Sequence, residues 1–316
     1  MRKGAGAWLL GIFLGLFFAC GSGLVVSAQE IQPILTPHAA FYSLKADTQV
    51  YLLPGTAHSV LGNLKKGQPV ISAAKTDTGW MQIYYRGAFG YVPGDALQDY
   101  ERPAAASLEK LSLPAGYRLN VLGDSITYGD KLSDRNQGYA SLLAAGSGAG
   151  ALNNYGWNGS AIGGPHPDRF VDRYPFMEPA ADLILVFGGT NDYAGSNEQG
   201  TPLGAETDLT ADSFYGALNL LMCGLKQMYP ESEIVFVTPL KRVGYMRPNK
   251  SGYALSQYVD AVKNRADFYG IRVVDLFQDP ELDFSSRQKL YLVDGLHPNA
   301  VGHSLLSAAI YRRLFL

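Results

Sequence analysis

Three short polar clusters contain residue types that could carry out acyl transfer. Ser125 and Asn191 each directly follow or closely follow an apolar run, and His297 lies near the C-terminus. Serine is a weak nucleophile at its free pKa and needs a base, for which histidine is the commonest side chain. Asp294 precedes His297 by three residues, close enough to orient the imidazole and to stabilise its cation. The sequence therefore predicts a serine nucleophile and a histidine base, if the fold brings them together.

Strand-like and helix-like runs alternate from residue 118 to the C-terminus. The strand candidates are 118–122, 151–155, 182–187, 233–238 and 271–275, and the helix candidates are 214–228, 255–269 and 298–314. This alternation favours a parallel sheet covered by helices on both faces. In such a sheet, ligands bind outside the carboxyl ends of the strands, where Ser125 and Asn191 are expected. The predicted fold is a three-layer α/β domain over residues 117–316.

Residues 40–98 have a different pattern, in which short strand-like runs alternate with glycine-containing turns. This spacing predicts a small all-β barrel. Its Gly-Trp pair at 79–80 and the segment 87–92 resemble the bacterial SH3-like module of exported proteins. That resemblance implies contact with cell-wall material, and a spacer or packing partner is the alternative. Residues 99–116 contain prolines and few large apolar groups, which predicts a linker.

The first 28 residues have the pattern of a secretory signal peptide. Arg2 and Lys3 precede a long apolar run, and Val26-Ser27-Ala28 forms a small-residue cleavage site. The run is also long enough for a membrane anchor, which needs about 20 apolar residues. A lipoprotein modified at Cys20 is the third interpretation. The expected location is therefore secreted or at the cell surface.

Composition argues against several other classes of function. The chain has 316 residues, of which 47% are hydrophobic and 17% charged, and its net charge is −2. This describes a folded protein for which nucleic acid is not an expected partner. Cys223 is the one cysteine after residue 28, so we expect a buried thiol and no intramolecular disulfide. No cofactor or metal is expected, since a two-metal phosphoesterase would need more histidines. The sequence gives no indication of the oligomeric state.

The motifs closely resemble those of the SGNH hydrolases, also called the GDSL-like esterase and lipase family. The first, third and fifth blocks of that family match Gly123-Asp124-Ser125, Gly189-Thr190-Asn191-Asp192 and Asp294-Gly295-Leu296-His297-Pro298. The second block best matches residues 154–159, with Gly159 as the candidate glycine. Three other glycines compete for that position: Gly156, Gly163 and Gly164.

The resemblance implies a flavodoxin-like sheet and a serine esterase that uses no metal. Ser125 would attack the ester carbonyl, His297 would act as the base, and Asp294 would orient His297. The oxyanion would be bound by the backbone N–H groups of Ser125 and Gly159 and by the side-chain amide of Asn191. Because His297 must be neutral to accept a proton, we expect hydrolysis to fall on acidification.

Other residues near the motifs are expected to have structural roles. Asp124 and Asp192 are interpreted as holding loop backbone, and His166 and His303 as solvent-exposed or structural histidines. For the flanking aromatic residues, packing is the simpler interpretation and stacking on a sugar ring the alternative. These aromatic residues are Tyr128, Tyr155, Trp157 and Tyr193.

The leading hypothesis is a secreted serine esterase that removes an acyl group, preferably acetyl, from a carbohydrate or cell-wall polymer. A lipase or lysophospholipase that acts on longer acyl chains is the nearest alternative. The polar, glycine-rich segment 194–208 is unlike an apolar lid and disfavours it. A non-catalytic wall-binding protein is the alternative from a different class.

Overall fold

The computed structural model describes residues 33–194 and 200–316, so the predicted signal segment 1–28 lies outside the described residues. The strands are β1 (Leu35–Leu44), β2 (Thr48–Tyr51), β3 (Val60–Leu64), β4 (Pro69–Thr76), β5 (Trp80–Tyr85), β6 (Ala88–Pro93), β7 (Leu97–Asp99), β8 (Arg118–Gly123), β9 (Ala151–Gly156), β10 (Leu183–Phe187), β11 (Glu233–Val237) and β12 (Arg272–Val274). The α-helices are α1 (Ser125–Tyr128), α2 (Tyr139–Ser147), α3 (Phe170–Arg173), α4 (Thr190–Tyr193), α5 (Phe214–Met228), α6 (Leu255–Tyr269), α7 (Gln288–Tyr291) and α8 (Ala300–Phe315).

The C-terminal part of the chain is built on a five-stranded parallel sheet with the order β12-β11-β10-β8-β9. Numbered from β8 in chain order, this is the 2-1-3-4-5 arrangement of flavodoxin-like folds. The chain reverses its direction of winding between β8 and β10, and ligand sites of such sheets lie at this switch point. Gly123 and Phe187 are register partners, so the two strands end at the same level. The prediction of a three-layer α/β fold is confirmed.

Helices cover both faces of this sheet. One apolar core joins the sheet to α5 and α6, and a second joins it to α2 and α8. The central strand β10 has all five residues buried, as expected for a parallel strand covered on both faces. Ser213 begins α5, since its side chain accepts the N–H of Gly216, and Asn299 begins α8 by accepting the N–H of Gly302.

The N-terminal residues form a seven-stranded antiparallel sheet with the order β3-β2-β6-β5-β4-β1-β7. It encloses a small apolar core of its own and begins at Leu35, ahead of the predicted 40–98 region. The sheet packs on α5: Gln68 Nε2 donates to Lys226 O at 2.8 Å, and Gln227 Nε2 donates to Pro69 O at 3.0 Å. Cys223 is buried at this contact, as predicted.

The predicted linker contains no helix or strand between residues 100 and 117, yet it packs against the C-terminal part. Tyr100 Oη donates to Phe268 O at 3.0 Å, and Leu111 N–H donates to Leu314 O at 2.6 Å. Leu111 is buried in the core that contains α2 and α8. Among the described residues, no helix is long and apolar enough to cross a membrane.

Candidate active site

The nucleophile candidate Ser125 lies on the turn between β8 and α1. Asp124 caps that short helix, because its carboxylate accepts the N–H of Ile126 at 2.9 Å. Gly123 is required before it, since a Cβ there would lie 1.9 Å from Thr127 Oγ1. The glycine and the aspartate therefore produce a sharp strand-to-helix turn. This turn presents the Ser125 side chain at the carboxyl end of β8.

The base candidate lies on a short loop just before α8. Val293 N–H donates to His297 O at 2.8 Å, which closes the loop. Asp294 Oδ1 accepts the backbone N–H groups of Leu296 at 3.1 Å and His297 at 2.9 Å. The loop turns at Gly295, whose φ is +85°, a conformation that favours glycine. The fifth block, residues 294–298, thus forms a rigid turn that places the side chains of Asp294 and His297 on the same side.

The fold brings Ser125, His297 and Asp294 into one hydrogen-bonded chain. His297 Nε2 lies 2.9 Å from Ser125 Oγ, and His297 Nδ1 lies 2.7 Å from Asp294 Oδ2. A carboxylate beside Nδ1 selects the tautomer in which Nδ1 carries the proton and Nε2 accepts from the serine hydroxyl. Burial opposes ionisation of Asp294, but the N–H groups of His297 and Leu296 outweigh it and hold the pKa of Asp294 below its ordinary value. Asp294 is therefore a carboxylate, which can stabilise an imidazolium.

A second carboxylate, Asp130, lies close to the same histidine. Its Oδ2 atom is 3.8 Å from His297 Nε2. Burial opposes its ionisation, but the neighbouring Lys131 ammonium outweighs burial and lowers the pKa of Asp130. No spacing relates Asp130 to the fifth block, so the sequence carries no signal of this contact.

Only one of the four candidate glycines of the second block has a free N–H group within the described residues. Gly156 N–H donates to Asn154 Oδ1, Gly163 N–H donates to Asp192 Oδ1, and Gly164 N–H donates to Ala211 O. Gly159 has a φ of +75°, an added Cβ there would meet no atom within 4 Å, and its N–H has no acceptor among the described residues. Gly159, the residue chosen from the sequence, stays the candidate glycine of the second block.

Asn191 lies at the end of β10 and contacts the same loop. Its Nδ2 atom donates to Ser160 O at 2.9 Å, next to Gly159. This bond uses one of the two N–H groups of the amide and fixes its orientation. The Ser125 N–H likewise has no acceptor among the described residues. Three N–H donors are thus free to bind an anion: those of Ser125 and Gly159 and the second N–H of Asn191.

Asp192 is fully buried and holds the loop that carries Gly159. Its carboxylate accepts the N–H groups of Ile162 at 2.8 Å and Gly163 at 3.0 Å, and the hydroxyl of Thr201 at 3.2 Å. Burial raises the pKa of Asp192 to about 6, although these bonds act in the opposite direction. Burial also raises the pKa of Asp124 to about 7. Both aspartates hold backbone, the role inferred for them from the sequence.

Arg173 on α3 connects three segments of the site and was not identified from the sequence. Its guanidinium donates to Gly123 O at 3.0 Å, to Tyr155 O at 2.7 Å and to Ser160 Oγ at 2.9 Å. It also donates to Asp168 O at 2.8 Å. Since these acceptors are mostly backbone carbonyls, the sequence contains no partner residue that could have revealed it. Arg173 therefore fixes the second block against the strand that precedes Ser125.

The other two histidines near the motifs are buried or partly buried, and three of the four flanking aromatic residues lie at a groove. His303 is fully buried; its Nδ1 accepts the N–H of Tyr139 at 3.1 Å, and burial lowers the pKa of His303 to about 4. His166 is partly buried, which lowers its pKa. Tyr193 belongs to the core, whereas the other three flanking aromatic residues line a groove. The described residues contain no cluster of His, Cys, Asp and Glu that could hold a metal ion.

A parallel 2-1-3-4-5 sheet with these three motifs after β8, after β10 and before α8 defines the SGNH hydrolase class. The profile of the GDSL-like lipase/acylhydrolase family matches residues 121–305, more than half of the chain. The chain therefore belongs to this family, and it is a hydrolase that acts on esters.

Two solved structures share the fold of the C-terminal part. A protein from Lactobacillus plantarum is 32% identical with a TM-score of 0.58, over 64% of this chain and 100% of that one. A possible lipase from Chitinophaga pinensis is 23% identical with a TM-score of 0.52, over 62% of this chain and 98% of that one. No curated protein matches the chain.

Proposed function

We propose that the chain is a serine esterase in which Ser125 is the nucleophile, His297 the general base and acid, and Asp294 its orienting carboxylate. The observation that supports this most directly is the unbroken chain of contacts of 2.7 and 2.9 Å through the two nitrogens of His297. A nucleophile, a base and an orienting group at these distances are the requirements for activating a serine.

The reaction then follows in two steps. Ser125 Oγ attacks the ester carbonyl carbon while its proton moves to His297 Nε2. The tetrahedral intermediate collapses, the C–O bond to the alcohol breaks, and Nε2 gives its proton to the leaving alkoxide. Water next attacks the carbonyl carbon of the acyl group on Ser125 and gives a proton to His297 Nε2. The second tetrahedral intermediate collapses, the bond from the acyl carbon to Ser125 Oγ breaks, Nε2 returns its proton to Oγ, and the carboxylic acid leaves.

The oxyanion of each tetrahedral intermediate is assigned to the three free donors on Ser125, Gly159 and Asn191. They belong to elements fixed in advance by Asp192 and Arg173, so little reorganisation is needed when charge develops. Such preorganised donors are usually the largest single contribution to catalysis of acyl transfer.

The substrate that we propose is an acetyl ester of a carbohydrate or cell-wall polymer, hydrolysed by the exported protein after removal of residues 1–28. Three aromatic residues beside the site support a sugar. The pattern of residues 40–98 supports an SH3-like module that contacts wall material. Intact-mass measurement of the exported protein tests the cleavage and distinguishes it from an anchor or a lipoprotein.

A second candidate function, hydrolysis of longer acyl esters, is favoured by apolar side chains near the catalytic loop. Leu290 is 61% exposed, Val293 is 55% exposed and Val243 is 40% exposed. Val243 N–H donates to Gly295 O at 3.0 Å, so it lies beside the loop that holds His297. These residues could contact an acyl chain.

A substrate panel with the Ser125→Ala variant tests both candidates. We expect the wild type to hydrolyse acetylated sugars and nitrophenyl acetate faster than nitrophenyl esters of long fatty acids, and Ser125→Ala to hydrolyse none. A preference for the long esters would favour the second candidate. Failure of a fluorophosphonate to label Ser125, together with no hydrolysis of any ester, would contradict both and favour a non-catalytic binding protein.

A further inference from the structure

A groove of about 590 Å³ lies beside the candidate active site, at the end of the edge strand β9. Tyr128, Tyr155, Trp157 and Phe176 line it. Trp157 is 53% exposed and Phe176 is 86% exposed. The volume is typical of ligand sites, which span roughly 300–1,000 Å³. Aromatic side chains exposed around such a concavity indicate a binding surface rather than core packing.

The groove lies close in the chain to the candidate nucleophile, because Tyr128 lines it. Tyr128 is three residues after Ser125 on the single turn of α1. Two residues further on, Asp130 Oδ2 lies 3.8 Å from His297 Nε2. This is the nitrogen that returns the proton to the leaving alkoxide in the proposed mechanism. The groove therefore lies beside the turn that carries Ser125 and Asp130.

Polar groups in the groove have hydrogen-bonding capacity to spare. The side-chain amide of Asn136 has no partner among the described residues. The Arg135 guanidinium contacts the Tyr128 hydroxyl and stacks 3.7 Å from the centre of the Tyr128 ring, and its remaining N–H groups have no acceptor within residues 33–194 and 200–316. A sugar ring presents an apolar C–H face and a rim of hydroxyls. Aromatic surfaces flanked by free donors match both features.

We propose that this groove binds the carbohydrate part of the substrate as a chain of several sugar residues. The inference rests on the proposed esterase function and specifies its alcohol as an oligosaccharide or polysaccharide. A long acyl chain, the other candidate occupant, would cover the Asn136 amide and the remaining N–H groups of the Arg135 guanidinium without bonding to them, which is unfavourable.

The far end of the groove lies next to the N-terminal sheet. Phe176 follows Pro175, and a Cβ at Gly87 would come within 2.9 Å of Pro175 Cγ, so the β5–β6 turn contacts this segment. A sugar chain that leaves the groove past Phe176 therefore reaches that turn. Longer chains should gain contacts that a single acetylated sugar cannot make.

The kinetic test compares two substrates, nitrophenyl acetate and partially O-acetylated cello-oligosaccharides. We expect Trp157→Ala to lower kcat/KM for the oligosaccharides by roughly tenfold to thirtyfold, the size typical of an aromatic anchor. The same variant should change nitrophenyl acetate hydrolysis by less than about twofold, since that ester has no sugar. Phe176→Ala should affect long oligosaccharides more than acetylated monosaccharides. Leu108→Ala, which alters an exposed apolar residue outside the groove, is the matched control.

A binding test separates this inference from the proposed chemistry. The Ser125→Ala protein is titrated calorimetrically with the same oligosaccharides, with and without Trp157→Ala and Trp157→Phe. We expect Trp157→Ala to weaken binding by about tenfold and Trp157→Phe, which keeps an aromatic face, to restore part of it. This result does not depend on turnover.

Three outcomes would overturn the inference. The first is that Trp157→Ala leaves oligosaccharide binding and hydrolysis unchanged. The second is that it slows both substrates equally, which would indicate damage to the catalytic groups. The third is that it slows hydrolysis of long-chain nitrophenyl esters only, which would make the groove an acyl site. If the wild type hydrolyses no ester but binds the oligosaccharides, the proposed function would be refuted and the assignment of the groove would still hold.

Discussion

Replacement of Asn191 by alanine tests the proposed oxyanion site most directly. The Asn191 side chain is 8% exposed, and one N–H of its Nδ2 atom donates to Ser160 O at 2.9 Å. The other N–H is free to meet the oxyanion. Loss of one such donor lowers kcat by about 10²–10³, which corresponds to about 2.7–4 kcal/mol. Because the hydrogen bond from Asn191 to the oxyanion is strongest in the transition state, KM should change little.

The same substitution also leaves the Ser160 carbonyl without its partner. A buried polar group that loses its hydrogen bond costs about 1–3 kcal/mol of stability. The assay must therefore measure kcat on nitrophenyl acetate together with the thermal unfolding midpoint. This shows whether enough folded protein is present to explain the rate.

Asn120→Ala is the matched control. Asn120 lies on β8, is fully buried, and donates Nδ2 to Glu178 O at 2.8 Å, a bond of the same kind. We expect it to lower the unfolding midpoint at least as much as Asn191→Ala while leaving kcat close to that of the wild type. The proposed role of Asn191 is refuted if Asn191→Ala retains kcat within about twofold, or if both variants lose kcat equally.

Two further predictions concern residues that position the site. Arg173→Lys should lower both kcat and the unfolding midpoint, since an ammonium cannot reach the four acceptors that the guanidinium holds; an unchanged kcat with a lowered midpoint would make Arg173 purely structural. His303 has a folded pKa of about 4 against an ordinary value of 6.5, so the unfolded chain binds the proton first and stability is lost as pH falls from about 6.5 to 4. His303→Asn keeps an acceptor for Tyr139 N–H. This variant should lose about 3 kcal/mol less free energy of unfolding than the wild type over that pH range. An identical loss of unfolding midpoint between pH 7 and pH 4.5 in wild type and variant would contradict this.

The regular elements of the C-terminal part could be predicted because each has a local cause. Buried parallel strands appear as continuous apolar runs, and helix α5 repeats its apolar residues at helical spacing from Phe214 to Met228. The motif positions follow from the same cause, since two lie where apolar strands end and the third lies just before the last helix. Predicted and observed bounds of α5 and α6 accordingly coincide.

What the sequence did not reveal depends on contacts between distant segments. The bonds of Arg173 join backbone atoms of Gly123, Tyr155 and Asp168, and backbone atoms carry no sequence signal. The packing of the predicted linker was missed for the same reason. One signal was available for the N-terminal sheet: β4 is buried on both faces, and its run of small and apolar residues predicts a covered strand.

A buried polar connection accounts for the alignment of the proposed nucleophile and the proposed base, which are far apart in the sequence. Thr127, on the same turn as Ser125, contacts the hydroxyl of Tyr139 at 2.7 Å, and Tyr139 N–H donates to His303 on α8. Helix α8 begins directly after the loop that holds His297, so this connection ties the base to the helix of the nucleophile. Protonation of His303 Nδ1 would remove the acceptor in the middle of it. Acid should therefore loosen the helix that positions His297, and His303→Asn should remove this effect.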